Sequence, residues 1–394
     1  MSEVQQTMSS AFISDKKKGR FFRFNTESMT IEKEWMSGAG SYPADFVSNG
    51  LIYVSTRGLE SIQPIEIDND DMPAPICLHY NGTVHKPRST TSNRNRETGT
   101  GFAKDVKPEF AAISGADKVY LTIIDASTGS IVRRFGSGDK GERRDFGGGT
   151  ACGHPAWVSD GVLLLDRINR LIELYHPDQK GDKPLATVKV PTSAHHIEKL
   201  GERIFAFCEG NITEKINPQI IEIAVECNSM TIVKTCTLPT VGNNDTGFGA
   251  HHLTIDTENN YIYAGVSNGR LYHVDLDDLS VQQIIKTGKG CGHVTICKEV
   301  ELAVTTNHTD SFMSVFSLVN GNLVRNITIT DPIDSLEKKQ GHTSFWNATT
   351  ELFYTTAASS GRFLEIDLVK GGIKREIKVP DAVLIQGAAP GSMM

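Results

Sequence analysis

Histidines recur at one position of a repeated phrase, and their side chains are the ones in this sequence best suited to bind a metal ion. The phrase occurs in five clear copies, whose starts are separated by 42, 56, 41 and 49 residues. The first residues of these copies are His154, His196, His252, His293 and His342. Neutral imidazole nitrogen is a ligand for zinc, copper, iron and nickel, so these five histidines are the predicted metal ligands wherever the fold brings them together.

A second group of metal-binding side chains lies beside these positions or near them. Two of the starts are preceded by another histidine, and two are preceded by cysteine and glycine. The additional candidate ligands are His195, His251, His308, Cys152, Cys291 and His85. Because imidazole and thiolate together favour zinc, zinc is the first choice, with copper or iron as alternatives. The glycine of each Cys-Gly-His tripeptide is expected to give the backbone freedom where chains crowd.

Each copy of the phrase is made of four short segments with the composition of strands. In the clearest copy these are His154–Val158, Gly161–Asp166, Arg170–Tyr175 and Ala186–Val190, which are rich in branched and aromatic residues. Units of about 40 to 50 residues with four strands are typical of β-propeller blades. Helical periodicity is absent from every long window, so the sequence predicts an all-β protein, a β-propeller.

The blade geometry explains how histidines far apart in the sequence can form one site. The innermost strand of a blade lines the central channel, and the blades are related by rotation, so equivalent positions converge on the axis. The five histidines at the starts of inner strands are therefore predicted to form a ring at one mouth of the channel. Two earlier copies have Pro43 and Pro108 at this position, which predicts a lopsided ring whose open side faces the first blades.

The number of blades follows from seven visible starts and from the two ends of the chain. The segment Gly19–Trp35 resembles the outer strands of a blade, and the tail segment Asp381–Ile385 could supply an inner strand beside it. The prediction is therefore a propeller of seven or eight four-stranded blades. Its ring is closed by the N- and C-terminal strands, which removes an exposed sheet edge.

The predicted domain organisation is a single propeller with short ends. Residues 1–18 are expected to be a flexible N-terminus, residues 19–388 the propeller and residues 389–394 a flexible tail. Within the propeller, residues 80–105 contain almost no large apolar side chains, which predicts a long polar surface loop. Its composition leaves open whether this loop is disordered or forms a lid over one face.

Composition and charge narrow the class of protein. The chain of 394 residues has a net charge of −7 and contains no apolar run near the roughly 20 residues that span a bilayer. We therefore predict no nucleic-acid partner and no membrane span, and the lack of a signal-peptide pattern favours the cytoplasm. The expected partners are a metal ion and either a partner protein or a small molecule. Seven cysteines, an odd number, favour reduced thiols over disulfides.

The repeated phrase resembles the YVTN and quinoprotein amine dehydrogenase-like β-propeller superfamily over about residues 19–381. Within that superfamily, the phrases Ala194–His196 and Ala250–His252 are similar to those of propeller zinc metallochaperones, which feed zinc transporters. Cys291–His293 and Gly341–Ser344 add to the likeness. The resemblance implies a propeller fold and the handling of zinc. The polar segment at 80–105 differs from the His- and Asp-rich segment of those chaperones, because it is rich in Arg, Thr and Asn.

Three functions are compatible with the histidine ring. The first is a transition-metal-binding propeller that handles or delivers zinc or copper. The second is a mononuclear metal-dependent enzyme, such as an iron or copper oxygenase or a lyase, that uses the same histidines; the sequence leaves open whether the protein is an enzyme. The third is a metal-free protein-interaction scaffold, since a propeller fold does not by itself fix function.

Overall fold

The computed structural model describes residues 10–48, 50–96, 107–141, 149–226, 228–239, 249–330, 340, 343–382 and 385–390. Within these ranges the regular structure is β, apart from 3₁₀ helices at Asn93–Arg96, Lys298–Val300 and Ala358–Ser360. No helix there has the length and apolar character needed to cross a membrane. Eight four-stranded antiparallel sheets are arranged as a propeller, which confirms the predicted all-β fold and sets the number of blades at eight.

Blades 1 to 4 come from the first half of the chain and from its C-terminal strand. Blade 1 contains β1 (Ser10–Asp15), β2 (Arg20–Asn25) and β3 (Thr30–Met36). Blade 2 contains β4 (Ser41–Ser48), β5 (Leu51–Thr56), β6 (Ser61–Glu66) and β7 (Ile76–Cys77). A small hairpin, β8 (His79–Tyr80) and β9 (Thr83–Val84), precedes blade 3, which contains β10 (Pro87–Ser92), β11 (Phe110–Gly115), β12 (Leu121–Asp125) and β13 (Ile131–Phe135). Blade 4 contains β14 (Ala156–Val158), β15 (Gly161–Asp166), β16 (Leu171–Tyr175) and β17 (Ala186–Lys189).

Blades 5 to 8 follow the same order. Blade 5 contains β18 (Ala194–Leu200), β19 (Arg203–Cys208), β20 (Gln219–Glu226) and β21 (Ser229–Thr237). Blade 6 contains β22 (Ala250–Asp256), β23 (Tyr261–Val266), β24 (Arg270–Asp275) and β25 (Val281–Lys286). Blade 7 contains β26 (Cys291–Cys297), β27 (Leu302–Asn307), β28 (Phe312–Ser317) and β29 (Leu323–Thr328). Blade 8 contains β30 (Phe345–Asn347), β31 (Leu352–Ala357), β32 (Arg362–Asp367) and β33 (Gly372–Lys378), and the last strand, β34 (Ile385–Pro390), returns to blade 1.

The hydrophobic core lies between the blades. At the interface of blades 4 and 5, Leu163 and Leu165 of β15 belong to one buried cluster with Ile204 and Ala206 of β19. A single sheet cannot bury both of its faces, but radially stacked sheets bury each other. Each fully buried leucine or isoleucine contributes about 1.5–3 kcal/mol to the free energy of folding. The second and third strands lie in these interfaces and therefore carry the continuous apolar segments seen in the sequence.

Blade 1 closes the ring by pairing the two ends of the chain, as predicted. β1 pairs antiparallel with β34 on one side and with β2 on the other. Ile13 of β1 and Ile385 of β34 pack in one cluster with Phe363 of blade 8. The strands begin at Ser10, so the boundary predicted at residue 19 lies too far along the chain. The reason is that the apolar stretch of β1 is only three residues long and does not stand out from its polar surroundings.

The segment predicted as a long polar loop contains the inner strand of blade 3. β10 pairs antiparallel with β11, whereas residues 97–106 lie outside the described residues. β10 carries serine and threonine because it borders the inner strands around the channel, where the hydroxyl of Thr90 contacts that of Ser55 in blade 2 at 3.2 Å. No apolar alternation therefore marks this strand in the sequence. Pro108 precedes β11, the second strand of the blade, and does not begin an inner strand.

Candidate metal centre at the channel mouth

A β-bulge at the start of the inner strand brings histidines to the channel mouth. In blades 5, 6 and 7 the strand pairing shifts register at His195, at His251–His252 and at Gly292–His293. A bulge leaves the extra residue unpaired in the ladder, bends the strand and redirects its side chains. In blade 3 the corresponding shift falls at Arg88. This arginine, and not Pro108, therefore holds the position that histidines hold in the later blades.

A second position of each blade lies at the same mouth, namely the residue that directly follows the second strand. In blades 2 to 7 this residue donates its backbone N–H to a carbonyl oxygen at the entry to the inner strand, which fixes it beside the bulge. The residues at this second position, from blade 1 to blade 8, are Lys16, Arg57, Ala116, Arg167, Glu209, Ser267, His308 and Ala358. Of these eight residues, the sequence predicts only His308 as a candidate ligand.

The two positions together assemble six histidines into two adjoining groups of three. The first trio is His154, His195 and His252, and the second trio is His251, His293 and His308. Within each trio, one nitrogen of every ring lies within 4.8 Å of the others. The trios adjoin because the ring centroids of His252 and His293 are 3.8 Å apart. Zinc–nitrogen bonds of about 2.0–2.1 Å place ligand nitrogens roughly 3.4 Å apart, so a zinc ion would require the most widely separated nitrogens of a trio to approach by up to about 1.4 Å.

The predicted ring is found in a modified form. Four of its five histidines lie at this mouth, and three of them, His154, His252 and His293, belong to trios. His342 lies outside the described residues. The trios are completed by three histidines that the sequence indicated only as additional candidates, which are His195, His251 and His308.

His196 lies beside the trios without belonging to one. Its ring centroid is 4.0 Å from that of His252. The backbone N–H of Leu253 donates to Nδ1 of His196 at 3.4 Å, and Nε2 lies 3.7 Å from a carboxylate oxygen of Glu198. These contacts position the ring as a neighbour that packs against the first trio.

The cysteines of the two Cys-Gly-His tripeptides point away from the trios. The Sγ atom of Cys152 lies 3.6 Å from the carbonyl oxygen of Lys118, inside an apolar cluster between blades 3 and 4. Cys291 packs between blades 6 and 7, where its Sγ lies 3.1 Å from Oγ1 of Thr305. Burial raises the pKa of Cys152 to about 12 and also raises that of Cys291. The geometry therefore does not support these thiols as ligands, because residues two places before the histidine face the blade interface.

His85 is a structural residue within blade 3. Its Nε2 lies 2.8 Å from Oγ1 of Thr122, and its Nδ1 lies 3.1 Å from the carbonyl oxygen of Lys86. The residue is fully buried. Burial, with a further contribution from the charge of Arg134, lowers the pKa of His85 to about 4. The structure does not bring this ring into either trio, because these hydrogen bonds hold it inside its own blade.

The glycines of the tripeptides are explained by close approach. A Cβ on Gly292 would lie 2.4 Å from Nε2 of His308, so glycine leaves room for a ring of the second trio. A Cβ on Gly153 would lie 2.8 Å from the backbone carbonyl oxygen of His195 in the next blade. The need for space, rather than the backbone freedom that the sequence suggested, therefore selects glycine at both positions.

Glu209, at the second position of blade 5, orients a histidine of the first trio. Its Oε1 lies 3.1 Å from Nδ1 of His195. Arg167 donates to both carboxylate oxygens of Glu209 at 2.7 Å, and both of these side chains are buried. A carboxylate that accepts a hydrogen bond from the Nδ1–H group leaves Nε2 of the same ring with the lone pair, which is the usual arrangement around metal-binding histidines.

Arg88 faces the first trio from blade 3. Its Nη2 lies 3.3 Å from Nε2 of His154 and 3.4 Å from Nε2 of His195, and only 4% of the residue is exposed. The guanidinium therefore donates to the nitrogens that a metal ion in the first trio needs. It follows that the first trio binds a metal only after the side chain of Arg88 has moved.

Burial keeps three histidines of the mouth, His154, His196 and His252, in the neutral form. Burial, followed by the charge of Arg88, lowers the pKa of His154 well below its ordinary value. Burial and the neighbouring rings do the same for His252, and burial lowers the pKa of His196 to about 3. Neutral imidazole is the form that binds metal ions, so near neutral pH no proton has to leave these rings before a metal binds.

No protein-family model and no curated protein matches the sequence, but solved structures match the fold. The dihydro-heme d1 dehydrogenase NirN, solved in complex with DHE, aligns with 97% of this chain and 75% of its own, with a TM-score of 0.67 and 10% identity. Apo AztD from Citrobacter koseri aligns with 96% of this chain and 97% of its own, with a TM-score of 0.59 and 13% identity.

A computationally designed protein, Ika8, matches almost equally well. It aligns with 89% of this chain and 95% of its own, with a TM-score of 0.58 and 9% identity. At these identities the likeness establishes the propeller fold alone. Function therefore has to be argued from the site itself.

Proposed function

We propose that this protein is a transition-metal-binding β-propeller that handles or delivers zinc or copper at the channel mouth. The observation that carries the proposal is the pair of trios, in which ring nitrogens from four successive blades lie within 4.8 Å of their group partners. Neutral rings that converge in this way have the character of metal ligands.

The donor set supports zinc or copper as the metal. Each trio offers imidazole nitrogen alone, because the two nearby thiols are turned into blade interfaces. Zinc at an exchangeable site takes three protein ligands and leaves a fourth position for water or an incoming ligand. The resemblance of the phrases at 194–196 and 250–252 to zinc metallochaperones supports zinc as the first choice. A fourth position that stays open suits a protein that passes its metal to an acceptor.

Elemental analysis of protein purified without an affinity tag tests the proposal. We expect about one zinc or copper ion per chain, held mainly by the second trio, because Arg88 competes for the first. Replacement of all six trio histidines by alanine should abolish binding. The matched controls are His79→Ala and His176→Ala, which change exposed histidines outside the mouth. Full retention of metal by the six-residue variant would exclude the proposal.

The second candidate is a metal-dependent enzyme. The grouping of the histidines in threes favours it, because catalytic metal sites also have three protein ligands and an open coordination position. The absorption spectrum of cobalt-substituted protein distinguishes the two functions. A shift on addition of azide shows that a small molecule reaches the metal, as an enzyme requires. An unchanged spectrum shows a closed coordination sphere and argues against catalysis there.

A further inference from the structure

The channel mouth is divided into a histidine half and a cationic half. Blades 4 to 7 supply the trios, whereas blades 1 to 3 supply Lys16, Arg57 and Arg88. Nε of Arg57 donates to the carbonyl oxygen of Arg88 at 2.8 Å. The guanidinium carbon of Arg57 lies 3.1 Å from the centre of the Tyr42 ring. The cationic half is therefore a contiguous surface that adjoins the first trio through Arg88.

Among the described residues, the counter-groups of this half are the phenol of Tyr42, which is a hydrogen-bond partner of both Arg57 and Arg88, and a single carboxylate. Nη2 of Arg57 and Nε of Arg88 are buried and have no hydrogen-bond partner among the residues that the structure describes. The carboxylate whose charge acts on Arg88 is that of Glu209. Both oxygens of that carboxylate are already bound by Arg167. Buried cations that lack a counter-charge are unfavourable, and proteins retain them where a charged ligand completes the site.

The ionisation of these groups agrees with the missing counter-charge. Burial lowers the pKa of Arg57 to about 9, and the charge of Arg88 contributes in the same direction. Burial, followed by repulsion from Arg57, lowers the pKa of Lys16. The protein as a whole carries a net charge of −7. A concentration of positive charge at one mouth is therefore a local feature and does not follow from the composition.

We propose that a small oxyanion, a phosphate or a carboxylate group, binds between Lys16, Arg57 and Arg88. Guanidinium groups bind such anions through charge-assisted and often paired hydrogen bonds. The two unpartnered nitrogens supply donors that are already in place. The site depends on the cationic side chains alone, so it stands whether or not the trios hold a metal.

The position of Arg88 links this anion to the first trio, a consequence that rests on the proposed metal function. An anion that accepts paired hydrogen bonds from Nε and Nη2 of Arg88 competes with His154 and His195 for Nη2. Anion binding then frees the two ring nitrogens for a metal. By linkage, metal binding and anion binding strengthen each other by the same factor.

Calorimetric titration of chelator-treated, metal-free protein tests the anion site. One arm uses inorganic phosphate and the other uses succinate. We expect saturable binding of at least one probe to the wild type, and at least tenfold weaker binding to Arg57→Gln and to Arg88→Gln. The control is Arg133→Gln, which makes the same charge change on β13 of blade 3 and should keep the wild-type affinity. Lys16→Gln, at a partly exposed position, is a further variant if an arginine variant fails to fold.

The two arms identify the anion, and the variants decide whether the site exists. Saturation by phosphate alone assigns a phosphate group, and saturation by succinate alone assigns a carboxylate. Failure of both probes to bind the wild type would overturn the proposal. Equal affinity in the Arg57, Arg88 and Arg133 variants would overturn it as well. Because the titration contains no metal, its outcome is independent of the test of the trios.

Discussion

Both ring nitrogens of His195, a member of the first trio, contact charged side chains. Glu209 contacts Nδ1 of the ring, while Arg88 contacts Nε2. The two contacts are compatible when Nδ1 carries the proton and Nε2 carries the lone pair. The lone pair of Nε2 thus faces the guanidinium of Arg88, which a metal ion in the first trio would have to displace under the proposed function.

Removal of the competing guanidinium is expected to open the first trio. The variant Arg88→Gln should raise the metal content from about one to about two ions per chain, because Nε2 of both His154 and His195 is released. The measurement is equilibrium dialysis followed by elemental analysis, with Arg133→Gln as the matched control. A metal content that stays at one ion in Arg88→Gln would contradict the assigned role of this arginine.

Loss of the carboxylate of Glu209 is expected to affect both metal binding and stability. In the Arg88→Gln background, where the first trio is open, Glu209→Gln should lower the affinity of that trio by about 10- to 100-fold, because His195 loses its orienting partner. The free energy of unfolding should fall by about 3 kcal/mol, because the buried Arg167 loses its ion pair. Metal titration and chemical denaturation measure the two effects. The control is Glu258→Gln, which breaks an exposed pair with Lys298 and should leave the free energy of unfolding unchanged within experimental error.

The histidines that meet at the mouth were largely predictable from the sequence, whereas the charged residues that contact them were not. His154, His252 and His293 stand at the starts of recognisable repeats, so alignment of the blades finds them. Arg88 lies on a strand without apolar alternation. The sequence therefore placed Pro108, and not Arg88, at the histidine position of this blade. Glu209 occupies a single position at the end of a strand, where one residue carries no periodic signal.

At the scale of elements, the bulge in the inner strand is the feature that brings the histidines of different blades together. Regular pairing would send neighbouring side chains to opposite faces of the sheet. The bulge in β22 instead allows the adjacent residues His251 and His252 to serve different trios. The second and third strands were predictable because they fill blade interfaces. β1 and β10 were missed because one is short and the other lines the channel.

The glycine in the bulge of β26 gives a direct test of this element. In Gly292→Ala the new methyl group would lie 2.4 Å from Nε2 of His308, so this ring must move out of the second trio. We expect at least a tenfold loss of metal affinity with the propeller still folded, measured by metal titration and circular dichroism. Gly372→Ala is the control, since its Cβ would meet nothing within 4 Å. Unchanged affinity in Gly292→Ala would show that His308 is not a ligand.

At the scale of the whole molecule, stability depends on a ring without free sheet edges. The sequence predicted closure by the two ends, because residues 19–35 and the tail each lacked the rest of a blade. The sequence left seven and eight blades as alternatives, because the early copies of the repeated phrase are irregular. The structure resolves this with β34, which pairs with β1 and covers the edge that an open propeller would expose.

Removal of β34 is expected to destabilise the entire ring. Truncation after Ala382 leaves β1 with an unpaired edge and takes Ile385 out of the cluster between blades 8 and 1. Exposed edges of this kind promote association between chains. Size-exclusion chromatography should show oligomers or aggregates, together with a lower melting temperature. Truncation after Pro390 retains the strand and is the matched control; if both truncations stay monomeric and equally stable, the closing strand is dispensable.

The second position of each blade, which is the residue directly after its second strand, allows the side chains at the mouth to vary. A residue there sits outside the strand pairing, so its side chain can vary without changing the ladder of the blade. Within this one chain the position already holds amine, guanidinium, carboxylate, hydroxyl, imidazole and methyl groups. Ala116, in the same blade as Arg88, is a small and partly exposed example. Single substitutions at the partly exposed positions of this set would change the chemistry of the mouth while the strands that form the propeller stay the same.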